Sequence, residues 1–145
     1  LIVSNPPYIR SADIATLEAH LRAVGKRQWP FEIQLRGTGS FRPVSPVVFV
    51  SLATGISGCE RLEEAVRIGP LDRPRRFNYH PHVTVAHDVP DTVLDRAFAE
   101  LADYQAVFDV MGFGLFEQGA DGVWRTEYEF PLAGPTQPNG RGGER

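Results

Sequence analysis

The chain has 145 residues, 42% of them hydrophobic, enough for one packed domain or two small lobes sharing a core. A formal net charge of −3 gives no global positive field for a nucleic-acid backbone, and a single cysteine excludes an internal disulfide framework or a cysteine-rich zinc site. No apolar run approaches membrane-spanning length and no signal-like segment opens the chain, so the expectation is a cytoplasmic protein without a membrane partner.

Leu1-Ile2-Val3-Ser4 reads as a strand, ended by Asn5-Pro6-Pro7 because proline supplies no ladder donor. A start on Leu1 reads as a fragment or processed product lacking an upstream strand. Ile14, Leu17, Leu21 and Val24 recur at helical spacing, with Ser11 as N-cap and Gly25 as stop. Phe31, Ile33 and Leu35 alternate with polar residues as in a half-buried strand. Gly37-Thr38-Gly39-Ser40 is a turn or bulge, and Val47 to Leu52 reads as a buried strand. A second helix has Ser57 and Glu60 in capping-box register and Cys59, Leu62 and Val66 inside. Pro70 to Arg76 is a basic, proline-interrupted loop.

His82 to Val85 is the next short strand, and Asp91 caps a third helix that turns Leu94, Ala97, Phe98 and Leu101 inward. Phe108 and Val110 open a strand continuing through Phe116. Gly119 to Gly122 turns it into a hairpin whose return carries Trp124, Thr126, Tyr128 and Phe130. The two halves repeat one order of parts: strand and proline stop, helix, then two strands. This predicts an α+β fold of two pseudo-symmetric lobes, with antiparallel-rich sheets and outer helices around a central cleft. The domain spans 1–132, and the Gly- and Pro-rich tail over 133–145 is expected to be disordered.

His82-Val83-Thr84-Val85 carries the clearest chemistry. Alternation puts His82 and Thr84 on one face and the two valines on the other, with imidazole and hydroxyl about 6–7 Å apart along the strand. Imidazole can pass a proton near neutral pH, and a threonine hydroxyl can hold a phosphoryl oxygen without adding charge. Four residues alone also fit a plain strand end. The setting argues for more, because the motif follows a basic loop, precedes a helix and falls where the repeat places a cleft.

Tyr79-His80-Pro81-His82-Val83-Thr84-Val85-Ala86-His87 resembles the second H-x-T-x motif of the 2H phosphoesterases. Leu35-Arg36-Gly37-Thr38-Gly39-Ser40-Phe41-Arg42-Pro43 with Val47-Val48-Phe49 resembles the mid-domain strands of 2′-5′ RNA ligase family proteins, and the likeness extends to about Leu132. The resemblance implies an acid–base histidine pair, one from each of two H-x-T motifs. That pair would act without a metal or other cofactor on RNA or a small nucleotide bearing a 2′,3′-cyclic phosphate or 2′-5′ linkage. His82 and Thr84 would be catalytic, with His87, Arg42, Phe41 and Arg36 binding substrate, in a monomer. In the repeat register Leu1 and Val3 fall where the first histidine and threonine belong, and neither can do their chemistry. The alternative is therefore a non-catalytic RNA or nucleotide phosphate-binding module.

Other features weigh less. His80-Pro81-His82 could form a two-ligand metal arm, but no third ligand cluster is evident. By strict alternation His87 faces away from His82. His20 reads as a solvated helix residue. Arg73, Arg75 and Arg76 could contact an RNA backbone or be an ordinary solvated loop. Asn5-Pro6-Pro7-Tyr8 resembles the Asn-Pro-Pro-Tyr motif of amino-group methyltransferases, yet the match covers about nine residues and no glycine-rich cofactor loop precedes it.

Overall fold

A computed structural model describes residues 1–5 and 8–135. Pro6, Pro7 and the tail from residue 136 lie outside the described residues, and with them most of the expected disordered segment. Ala133 and Gly134 donate backbone hydrogen bonds to the Gly25 and Gln28 carbonyls, so ordered chain continues past Leu132. Among the described residues no helix is long and apolar enough to cross a membrane.

The class is α+β with antiparallel sheets. Helix α1 (Ile14–Arg27) follows a short 3-10 turn at Ser11–Asp13. Strands β1 (Phe31–Ser40) and β2 (Val47–Thr54) lead to helix α2 (Ile56–Arg67), then β3 (His82–His87), helix α3 (Asp91–Glu100), β4 (Gln105–Val110), β5 (Gly112–Gln118) and β6 (Trp124–Pro131). Four strands form one sheet in the order β3-β2-β1-β4, and β5 pairs with β6 in a second. The members of the sequence repeat therefore mix. Phe31–Ser40 and Gln105–Val110 lie side by side in one sheet rather than in separate lobes.

Two apolar clusters hold these layers. Leu17, Leu21 and Val24 of α1 meet Leu62 and Val66 of α2, Leu71, and Phe130 and Leu132 at the end of β6. Ile33 and Leu35 of β1 meet Val50 and Leu52 of β2 and Cys59 of α2. In β2, Val48, Val50 and Leu52 point to the helix side, which leaves Val47, Phe49 and Ser51 for the opposite face.

Several local expectations change. Leu1–Val3 is not a strand: Leu1 and Ile2 are exposed and Val3 packs against the first cluster, so these residues do not stand as a first motif on a strand. Gly25 is buried inside α1 rather than stopping it, because a Cβ there would lie 2.6 Å from the Pro131 carbonyl oxygen. Ser57 is no cap, since α2 starts from Gly55 at φ 94°, a conformation glycine adopts without steric cost. Asp91 sits in the first turn of α3 and makes no side-chain cap, and Phe98 is 40% exposed. The Phe108–Phe116 strand breaks at Met111 into β4 and β5 of different sheets. Gly37, at φ 75°, marks a bulge within a continuous β1.

Candidate active site

The site forms on the face of the four-stranded sheet turned away from the helices. Register sets it: His82 stands opposite Ser51 and Thr84 opposite Phe49. Directly opposed residues of an antiparallel pair share a face, so His82 and Thr84 join Phe49 and Ser51 on the open side. Val83, opposite Val50, packs into the second cluster as the motif predicts. Val85 does not, and it is 39% exposed. The ladder slips at this point, with Val48 opposite Ala86 and Phe49 opposite Thr84, so Val85 is the extra residue of a bulge. The slip resets the alternation. His87, opposite Val47, comes back to the face of His82 and Thr84, about 13 Å along the strand from His82. Its Nδ1 lies 3.0 Å from the Asp88 carboxylate.

The His82 ring is held from two directions. Its Nδ1–H donates to the His80 carbonyl oxygen at 2.6 Å. A carbonyl only accepts, so Nδ1 carries the proton and a neutral ring presents its lone pair at Nε2. Phe41 meets the ring edge-on, with centroids 4.9 Å apart at 90°, and Phe49 lies 5.2 Å away. Phe41 and Phe49 themselves pack at 4.6 Å. Phe49 can lie across the sheet because Gly39 opposes it in β1, where a Cβ would come within 2.5 Å of the Phe49 ring. Phe41 is fixed by the tight β1–β2 loop, its N–H bonded to the Val47 carbonyl and its own carbonyl accepting from Ser45.

The arginines divide. Arg36 is exposed and has no ion-pair partner among the described residues. With Gly37 it opposes Ser51, which places it two strands from His82, roughly 10 Å across the sheet. Arg42 is already engaged, pairing with Asp95 at 2.8 Å and Asp91 at 3.6 Å, and so ties the β1–β2 loop to α3. Arg75 is a structural residue: it makes a two-pronged pair with the buried Glu63 carboxylate at 3.1 and 2.7 Å, which Arg67 also approaches at 3.2 Å. Arg73 donates to the Tyr8 carbonyl and Arg76 lies over the Phe77 ring. The basic loop thus spends its charge partly on fastening the segment before His80 to α2.

His20 is not simply solvated, because its Nε2 bonds the Val66 carbonyl at 2.9 Å and links α1 to the end of α2. Among the described residues no three His, Cys, Asp or Glu side chains gather as a metal site requires. A cleft of about 440 Å³ between Tyr8, Arg10, Thr16, Leu71 and Arg73 holds none of the predicted site residues, while on the His82 face Thr84 and His87 are exposed and His82 is half-buried. Sequence reasoning missed Phe49 and Gly39. Counting alternate residues from the buried Val48 places Phe49 on the His82 face.

An antiparallel α+β domain of this kind has the fold of the 2H phosphoesterase type. The protein TT0787 of Thermus thermophilus shares the fold, with a TM-score of 0.53 and 24% identity over 88% of this chain and 74% of that one. A family model described as the 2′-5′ RNA ligase superfamily matches residues 5–122. The chain belongs to that superfamily. Similar proteins bear the provisional name phosphoesterase: one of Bacillus licheniformis is 28% identical, with 92% of this chain and 79% of that protein covered. One of Geobacillus kaustophilus is 26% identical, with 83% and 70% covered.

Proposed function

We propose that the chain acts on a phosphodiester of RNA or a small nucleotide, a 2′,3′-cyclic phosphate or a 2′-5′ linkage, with His82 transferring the proton. The observation that supports this most directly is the Nδ1–H bond to the His80 carbonyl, which leaves Nε2 free on the face that also carries Thr84. In hydrolysis Nε2 accepts a proton from water as the water oxygen bonds to phosphorus. The ribose P–O bond breaks, and the leaving oxygen takes a proton from solvent water on the open face. Thr84 donates its hydroxyl to a phosphoryl oxygen as charge builds there. Arg36 and His87 lie on the same face for the rest of the substrate, and Phe41 offers a ring edge. Burial raises the Cys59 thiol above its ordinary titration range, so it stays a thiol at neutral pH.

Hydrolysis of adenosine 2′,3′-cyclic phosphate tests the reading. His82→Ala is expected to lower the rate about 10²–10⁴-fold, and Thr84→Val about 10²-fold. Equal rates for the chain and His82→Ala would sink it. Binding of the nucleotide without turnover would instead mark a phosphate-binding module.

A further inference from the structure

The ring of His80 has no part in the chemistry above, which uses only its backbone carbonyl. It is nevertheless exposed and shares the platform under His82: it meets Phe41 at 5.5 Å and 79°, and Phe49 at 5.3 Å and 66°. The two imidazole centroids are 5.7 Å apart with planes at 42°. Stacked rings would lie closer and parallel. Two nitrogens that each donate about 2.8 Å to oxygens of one phosphoryl group stand roughly 5–7 Å apart. Both rings pack against the same two phenylalanines, so their spacing is set before any ligand arrives, which lowers the ordering cost of binding.

We propose that His80 is a second phosphate-contacting imidazole, donating a hydrogen bond to a non-bridging oxygen of the phosphoryl group that His82 faces. The inference rests on the phosphodiester reading of the site and adds a residue to it. Pro81 between the two histidines is buried and restricts the backbone, and the His80 carbonyl is held by the His82 ring. One short segment therefore sets the orientation of His82 and places the second donor beside it. His80 binds the phosphoryl group in ground and transition state alike and moves no proton in the reaction. Its loss should weaken binding more than it slows turnover.

The test uses the 145-residue chain with His80→Phe, which keeps a ring on Phe41 and Phe49 but cannot donate, and His80→Gln, which donates without an aromatic ring. The Kd for adenosine 2′,3′-cyclic phosphate is measured by calorimetry and KM and kcat by hydrolysis, with melting temperature as a check on folding. His80→Phe is expected to raise Kd and KM about tenfold, the effect of losing one charge-assisted hydrogen bond, with kcat and melting temperature nearly unchanged. His80→Gln should recover part of the affinity. Unchanged Kd in His80→Phe would overturn the inference and leave the role of His82 standing, as would a fall in kcat and melting temperature without a change in Kd. No binding of the nucleotide by the unsubstituted chain would overturn both.

Discussion

The Tyr79 hydroxyl is buried without a hydrogen-bond partner among the described residues, one position before His80 and beside the second apolar cluster. Burial, with smaller contributions from Cys59, Glu63 and Glu60, raises its titration well above the ordinary 10.0. Between that ordinary value and the raised one, the unfolded chain has lost the phenol proton while the folded chain keeps it. The unfolded state then binds fewer protons, so this group's contribution to stability is intact below about pH 10 and falls as pH rises further. Tyr79→Phe removes an unsatisfied polar group at little cost in shape. It should leave stability at pH 7 unchanged or raise it by about 1 kcal/mol, and it should flatten the alkaline decline. Denaturant melts of both proteins at pH 7 and pH 10.5 check this, and a Phe variant less stable at both would contradict it. The sequence shows a tyrosine near the motif but not its orphaned hydroxyl, which depends on the long-range approach of α2. Residue types that act locally were legible: His82 and Thr84 share a face because strand alternation alone dictates it.

At the scale of elements the site depends on two irregularities. The bulge at Val85 returns His87 to the working face, and the bare Cα of Gly39 lets Phe49 cross under both histidines. Gly39→Ala would bring a Cβ to 2.5 Å from the Phe49 ring, so the ring must move and with it the support of His80 and His82. Overpacking of this kind costs about 1–3 kcal/mol. The expected outcome is a lower melting temperature together with a fall in cyclic phosphate hydrolysis larger than the small loss of folded protein explains. A variant with full specific activity would show that Phe49 does not set the geometry. Helix interiors were readable from Leu17, Leu21 and Val24 or from Leu62 and Val66, because 3.6-residue spacing is a property of the chain itself. The caps and the Val85 bulge were not. Ser57 and Asp91 satisfy a capping pattern that the actual helix starts do not use, and a bulge is defined by its partner strand.

Across the whole molecule the repeated order of parts correctly indicated an antiparallel α+β fold, but the pairing of those parts could not be read from it. β1 lies between β2 and β4, joining segments about seventy residues apart, and Ile33 and Leu35 pack with Val50 and Leu52 from one neighbour, Ala106 and Val110 from the other, and Cys59 of α2. That sheet carries Arg36, Phe49 and His82 from three strands onto one face, while the loop after β1 adds Phe41. On the proposed function, this assembly fixes the His82 ring with its proton on Nδ1 and offers Nε2 to a phosphoryl group. A long-range ¹H–¹⁵N correlation spectrum of the His82 ring, recorded at pH 8 with and without adenosine 2′,3′-cyclic phosphate and assigned with His82→Ala, reads this directly. The predicted result is a protonated Nδ1 and a bare Nε2 in the free protein, with the Nε2 resonance moving as nucleotide is added. A proton on Nε2 in the free protein, or a ring indifferent to saturating nucleotide, would contradict this role for His82.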